Sequence, residues 1–295
     1  MRAAPAADVS EPGWILTLTC VDRVGIVAGV SGFLARHEGF ILDSQQYADL
    51  ETGRFFMRVV FTAGGPQFPA GRETLVAAFA PVAEELELDW DLSAAAQKPR
   101  LVVAVSKGSH CLNDLLHRQQ SGTLAAELVA VVSNHDKLRS LTEWHGVAYH
   151  HLSVGEEGNA VQERRIEDVM ATTGAPYLVL ARYMQVLTPE FAKRLAGRCI
   201  NIHHSFLPGF KGARPYHRAH DRGVKLIGAT AHFVTSDLDE GPIIEQAVER
   251  VDHRDSVEDL IRIGRDIEAQ VLARAVDALG ERRLFLNGNR TVVFR

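Results

Sequence analysis

The sequence predicts an α/β protein of two domains: a small βαββαβ domain, then a larger one built on a mostly parallel sheet. Two observations carry this. Over residues 13–92 strand-like and helix-like runs follow the order βαββαβ. Beyond a short linker, the strands become almost continuously apolar and alternate with helices. Such strands bury both faces of a sheet, which is the habit of parallel sheets with crossover helices. A chain of 295 residues has room for about two domains with ample core.

In the first domain, Trp14 to Cys20 reads as a strand. The loop Val21-Asp22-Arg23-Val24-Gly25 leads into the helical run I-V-A-G-V-S-G-F-L-A-R-H-E-G, which Gly39 closes as a C-cap. Strands at Ile41 to Leu50 and Arg54 to Thr62 are joined by a turn at Glu51-Thr52-Gly53. A helix near Arg72 to Ala80 and a strand around Glu87 to Leu92 complete the unit. Residues 93–99, S-A-A-A-Q-K-P, are small, short and closed by proline, as a linker is. Residues 1–12 lack the apolar stretch of a signal peptide and read as a disordered tail.

The second domain, residues 100–295, has predicted strands at Leu101 to Ser106, Glu127 to Ser133, Ala148 to Val154, Tyr177 to Ala181 and Cys199 to His203. Helices near Asn113 to Gln120, Lys137 to His145, Ala160 to Thr172 and Pro189 to Leu195 separate them. After Gly241 come a strand near Ile243 to Val251, an amphipathic helix from Val257 to Leu279, and a hairpin, Arg282 to Phe294, turning at Asn287-Gly288-Asn289. Sites in such sheets gather at the carboxyl ends of the strands.

Composition narrows the function. The net charge of −5 gives no global field for nucleic acid, though a local basic pocket for an anion is compatible with it. Cys20, Cys111 and Cys199 are odd in number and far apart within apolar runs, which points to reduced core thiols and a cytoplasmic location. Cys111 has no evident base beside it, against a nucleophilic role. No run is long enough to span a bilayer.

The stretch that carries chemistry runs from Cys199 to Gln246. Its first segment, C-I-N-I-H-H-S-F-L-P, alternates as a strand does, so Asn201 and His203 share one face while Ile202 and His204 take the other. Leu207-Pro208-Gly209 ends that strand. A second apolar run, Leu226 to Val234, brings the chain back towards Asp237 and Asp239 in the loop T-S-D-L-D-E-G-P. An amide, an imidazole and a carboxylate in one cleft suit acyl transfer: Asn201 and a protonated His203 would stabilise an oxyanion, and Asp239 would take a proton from the nucleophile. No serine or cysteine stands in a nucleophile-elbow context, so water or an amine attacks directly.

N-I-H-H-S-F-L-P with the D-x-D-x-G loop resembles the catalytic core of the formyltetrahydrofolate-utilising enzymes. The resemblance places an Asn, a His two residues later and a distant Asp on Asn201, His203 and Asp239. Spacing alone leaves Asp237 and Asp239 as rivals for the base, and only the D-x-G pattern of the family favours Asp239. Transferases of the family usually carry Pro where this chain has His204. The continuation S-F-L-P-G-F-K-G-A-R-P-Y-H-R-A is similar to the formyltetrahydrofolate deformylase branch. The resemblance runs from about residue 13 to the end and implies a Rossmann-like formyltransferase domain. Its implied activity is hydrolysis of 10-formyltetrahydrofolate, the substrate, with no cofactor and no metal. The rival enzymatic reading is formyl transfer to an amine such as glycinamide ribonucleotide, and the non-enzymatic one is an amino-acid sensor that keeps a folate pocket.

The first domain resembles the ACT domain, a ferredoxin-like fold, through its element order and through D-R-V-G-I-V-A-G-V. That resemblance implies an amino-acid effector, glycine or methionine, near Gly25, and pairing into a homodimer or homotetramer. The simpler reading of Gly25 is a tight turn. The loop Ala181 to Pro189 matches the pterin-lining loop of the family, which makes Met184, Gln185 and Leu187 substrate-binding candidates, with Thr235 and Asp237 opposite. Met and Leu in a loop otherwise plug cores. Ser106 to Cys111 reads as an ordinary strand-to-helix turn, poorer in glycine than the phosphate loop of the transformylases. Lys211 and Arg214 are candidate partners for a substrate carboxylate or plain surface charges. His232, on an alternating strand, lines either the site or the core, the core being the commoner case. A metal held by His203, His204 and Asp239 is disfavoured because adjacent strand residues face opposite ways. Burial is expected to raise the pKa of Asp239.

Overall fold

The computed structural model describes residues 13–155, 158–208 and 215–295. The expected tail over residues 1–12, and Lys211 and Arg214, lie outside them. The chain divides into two units, one reaching to Lys98 and including Glu281–Asn287 and Val292–Arg295, the other made of Pro99–Gly280 and Gly288–Thr291.

The first unit holds β1 (Trp14–Val21), α1 (Ile26–Arg36), β2 (Gly39–Asp49), β3 (Arg54–Ala63), α2 (Arg72–Glu85) and β4 (Asp89–Ala94), in the expected βαββαβ order. The sheet runs β2-β3-β1-β4 and is antiparallel throughout. α1 buries Ile26, Val30, Phe33 and Leu34, the spacing of one helical face, and Phe33 meets Phe79 of α2 edge-on at 5.1 Å.

Several boundaries differ from the sequence reading, and β4 runs on to Ala94, into the expected linker. α1 ends at Arg36 and Gly39 opens β2, because Glu38 takes the left-handed turn (φ 55°) expected of the glycine. α2 continues through Pro81, since Phe79 and Ala83, one turn apart, are both buried and that packing outweighs a lost helical hydrogen bond. β4 begins at Asp89 because Glu87 is again left-handed (φ 52°).

The sequence assigns the C-terminal hairpin, β12 (Leu284–Asn287) and β13 (Arg290–Val293), to the second domain, whereas most of it belongs to the first unit. Arg58 donates to the Glu281 carbonyl at 2.9 Å, Asn287 donates to Asp49, and Phe285 lies edge-on to Phe56 at 5.8 Å. The hairpin pattern gives its alternation but not the surface it packs on.

The second unit contains β5 (Arg100–Val105), α3 (His110–Gln120), β6 (Glu127–Ser133), α4 (Arg139–Trp144), β7 (Ala148–His151), α5 (Asn159–Thr173), β8 (Tyr177–Leu180), α6 (Pro189–Arg194) and β9 (Cys199–His203). It continues with α7 (Pro215–Asp221), β10 (Leu226–Phe233), β11 (Ile243–Arg250) and α8 (Val257–Gly280). The seven strands run β11-β10-β9-β8-β5-β6-β7, parallel from β9 to β7, with β10 antiparallel to both neighbours. Val102, Ala104, Ala130, Val132, Leu178, Leu180 and Cys199 pack with Ile166 and Phe191 into one core. The strand order reverses between β5 and β8, and the crevice beyond the carboxyl ends at such a reversal is where ligands bind in this architecture.

Candidate active site

β9 carries Asn201 and His203 on one face by strict alternation. The antiparallel register sets His232 of β10 directly opposite Asn201, and cross-strand neighbours on one face touch. The Asn201 amide nitrogen is 3.1 Å from His232 Nε2, and His232 Nδ1 is 2.8 Å from the Phe233 carbonyl. A carbonyl can only accept, so Nδ1 carries the proton and Nε2 accepts from Asn201. His232 thereby fixes the Asn201 side chain with its second N–H left for a ligand. Of the two places the sequence left for His232, core or site, the structure gives both at once: it is buried and forms a wall of the cavity, a choice settled by the pairing of two strands.

Asp239 comes from the loop between β10 and β11. That loop folds back tightly because the Phe233 N–H donates to the Pro242 carbonyl at 2.9 Å, and a Cβ on Gly241 would collide with the Phe233 carbonyl oxygen. Asp239 takes a left-handed backbone (φ 57°), a conformation in which Asp is among the more tolerant non-glycine residues. Its Oδ1 accepts from His203 Nδ1 at 3.2 Å and lies 3.7 Å from His232 Nε2. Asp237, its rival, is exposed and receives a hydrogen bond from Thr235 at its carbonyl. The hydrogen bond from His203 outweighs burial and holds the Asp239 carboxyl well below the usual carboxylate range. The expected upward shift is thus reversed, because burial came with an imidazole donor. His203 is 5% exposed, and its other nitrogen, Nε2, is buried without a partner among the described residues. A buried unpaired nitrogen is costly unless a ligand meets it.

His204 was expected on the far face unless the strand had already ended. β9 ends at His203, so the chain has already turned, and the His204 ring stacks on His203 with centroids 5.0 Å apart and planes at 26°. Its Nδ1 accepts from Arg182, which follows β8 in a left-handed conformation (φ 62°). Arg182 Nε is 3.3 Å from Glu268 of α8, a side chain 1% exposed that also meets His110 Nε2 at 2.8 Å and the Tyr216 hydroxyl at 2.7 Å. Tyr216 reaches in because α8 has Gly264 there, where any Cβ would strike its phenol. Sequence reasoning passed over Glu268, although a carboxylate on the face that buries Leu260, Ile267, Val271 and Leu272 was a legible signal. Glu268 and its neighbours His110 and Cys111 have the composition of a cation site. The Arg182 guanidinium provides Glu268 with a positive charge.

All these side chains line one cavity of about 970 Å³, and Met184, Gln185, Leu187, Thr235 and Asp237 line it too. Met184 and Val186 are 60% and 61% exposed, apolar side chains left free for a flat ligand. The Met184 N–H donates to Ser106 Oγ at 3.0 Å, and Ser106 donates to Asn134 at 2.8 Å, which ties this loop to the ends of β5 and β6. The Ser106-to-His110 segment is a strand-to-helix turn whose histidine is committed to Glu268. Gly25, at φ 103°, caps α1 in the first unit with open space where a Cβ would be.

The family described as formyl transferase matches residues 99–276, within the second unit. The formyltetrahydrofolate deformylase of Corynebacterium sp. strain P-1 is 49% identical over 281 residues, 95% of this chain and 98% of its own length. The chain belongs to the formyltetrahydrofolate deformylase family. A deformylase crystal structure from Pseudomonas syringae superimposes with a TM-score of 0.92 at 46% identity, covering 98% of this chain and 96% of that one. Glycinamide ribonucleotide transformylase 1 from Symbiobacterium toebii, a TM-score of 0.65 at 28% identity, covers only 70% of this chain. Both units of the chain therefore lie within the deformylase pattern, and the transformylase likeness is partial.

Proposed function

We propose that this chain hydrolyses 10-formyltetrahydrofolate to formate and tetrahydrofolate. The observation that carries the reading is the buried, unpartnered His203 Nε2, backed at Nδ1 by Asp239 and set beside the Asn201 amide in one cavity. Water attacks the formyl carbon and gives its proton to His203 Nε2, while Asp239 holds the ring and stabilises the imidazolium formed. Asn201 donates to the oxygen as it becomes an oxyanion. The C–N10 bond then breaks, N10 takes the proton from His203, and the product leaves as formic acid, which gives its remaining acidic proton to solvent to become formate. This shifts the base from Asp239, where the sequence put it, to His203, because the Asp239 carboxylate is engaged by His203 Nδ1 while His203 Nε2 is left without a partner among the described residues. The steps use no metal or redox cofactor, and the substrate is the only folate required. The exposed Met184 and Val186, with Gln185, Leu187, Thr235 and Asp237, form the surface that takes the pterin.

The rest of the reading is physiological. We assign the βαββαβ unit as an ACT domain that binds glycine or methionine at the Gly25 turn. It pairs with a second copy through β2, an edge strand exposing Phe40, Ile41, Leu42 and Tyr47, into a homodimer or homotetramer. Formate release feeds purine synthesis and balances one-carbon pools. Three buried free thiols support a cytoplasmic location, and no helix among the described residues is long and apolar enough to cross a membrane.

The test is incubation with 10-formyltetrahydrofolate and no acceptor, with and without glycine and methionine. Formate at catalytic rate is expected. Turnover only on adding an amine establishes transfer instead, and folate binding without turnover establishes a sensor.

A further inference from the structure

We infer that His204 is a second hydrogen-bond donor to the formyl oxygen, fixed as the neutral Nε2–H imidazole by a buried line of charge through Arg182 and Glu268. The inference rests on the hydrolytic reading above. If His203 receives the proton of water, Asn201 is left as one donor for an oxygen gaining a full charge, and such sites work through two or more preorganised donors. His204 stands where a second is needed: its ring stacks on His203 and lines the same cavity.

The protonation of the ring follows from what surrounds it. A guanidinium has five N–H donors and no acceptor, so the contact from Arg182 to Nδ1 requires a lone pair there, and the proton of the ring is on Nε2. Arg182 is not free to swing away, because Glu268 holds its Nε and is itself saturated by His110 and Tyr216. Arg182 also sits in the left-handed backbone region (φ 62°), which a non-glycine residue rarely adopts, and this at the residue that delivers the charge. Burial first, then Arg182 and His203, push His204 down to about 4, so the ring stays neutral from mild acid upward. With Nδ1 occupied it cannot act as a base. Among the described residues no acceptor meets Nε2, and the cationic neighbour at Nδ1 strengthens Nε2–H as a donor. A neutral imidazole held this way is a known means of polarising a carbonyl.

The first test leaves the protein unaltered. In ¹⁵N-histidine-labelled protein between pH 6 and 8, His204 should give the nitrogen shifts of a neutral ring protonated at Nε2. A proton at Nδ1, or an imidazolium, overturns the inference. Arg182→Met should release the ring to a mixture of tautomers, and an unchanged spectrum would refute the line of charge. Kinetics supply the second test. His204→Phe keeps the stacked ring without nitrogen and should lower kcat about 10²-fold with KM within about threefold. His204→Gln, which restores an N–H near Nε2, should recover most of that loss. Equal rates for the two variants, or a His204→Phe enzyme as fast as the wild type, overturn the donor role. Wild-type protein that releases no formate instead overturns the hydrolytic reading.

Discussion

Asp239→Asn is the most informative single substitution. Asn tolerates the left-handed backbone at this position as readily as Asp, and it matches the side chain in size, so the loop closed by Gly241 should keep its shape. What disappears is charge. The contact to His203 Nδ1, 3.2 Å in the wild type, can persist as a neutral hydrogen bond, but an amide neither enforces the Nδ1–H tautomer nor stabilises an imidazolium. Where a carboxylate orients a catalytic imidazole, the same exchange costs on the order of 10³–10⁴ in kcat, or about 4–5.5 kcal/mol of transition-state stabilisation. Met184, Gln185 and the other cavity walls are untouched, so KM should move by less than about threefold. Formate release under saturating 10-formyltetrahydrofolate measures the first number, and tetrahydrofolate binding checks the second. A variant within tenfold of the wild-type rate would refute the pairing of Asp239 with His203 as the proton-handling unit.

Gly241→Ala should lower kcat about 10²-fold, the scale of an ångström-sized misplacement, because the new Cβ collides with the Phe233 carbonyl and displaces Asp239. Its thermal midpoint should fall with it. Acid stability follows from Asp239 and Glu268. For Asp239, the hydrogen bond from His203 outweighs burial and lowers the pKa. For Glu268, burial pushes upward but His110, Arg182 and Tyr216 prevail, again lowering it. Depressed folded-state values mean that this stability is complete above the ordinary carboxylate range of about pH 4 and is lost as the pH falls towards the folded-state values. The urea midpoint should therefore drop from pH 5 to pH 3, and less steeply in Glu268→Gln. Burial pushes the thiols of Cys20, Cys111 and Cys199 up, so an aromatic disulfide reagent at pH 7.5 should find three slow thiols in native protein and three fast ones after denaturation.

What the sequence exposed and what it hid divide along physical lines. Alternation alone put Asn201 and His203 on one face, because side-chain direction in a strand has period two whatever lies beside it. For His232 alternation left two places open, site or core. Its role depends on which residue of β9 it faces, a property of a pair of strands and not of either alone. His204 turned on a single boundary, since a strand one residue longer would have sent its ring to the opposite face. Left-handed turns were the other blind spot. Glycine signals them, but here Glu38, Glu87, Arg182 and Asp239 adopt them, held by surroundings the local sequence does not encode. α7 escaped notice because a seven-residue helix has no periodicity to read.

Two of those strained residues explain how neighbouring histidines come to differ. His203 and His204 are stacked and adjacent in the chain, and free in water they would titrate alike. Asp239 brings an anion to Nδ1 of the first, while Arg182 brings a cation to Nδ1 of the second. An anion at Nδ1 demands a proton there and leaves Nε2 a lone pair, which is a base. A cation at Nδ1 demands a lone pair there and leaves Nε2 a proton, which is a donor. Opposite charges on equivalent atoms thus split one pair of rings into complementary functions. Exchanging the charges by Asp239→Asn with Arg182→Met should level the two rings, and histidine nitrogen spectra should then show mixed tautomers at both positions. Two rings that kept distinct tautomers in that double variant would show that packing, not charge, sets them apart.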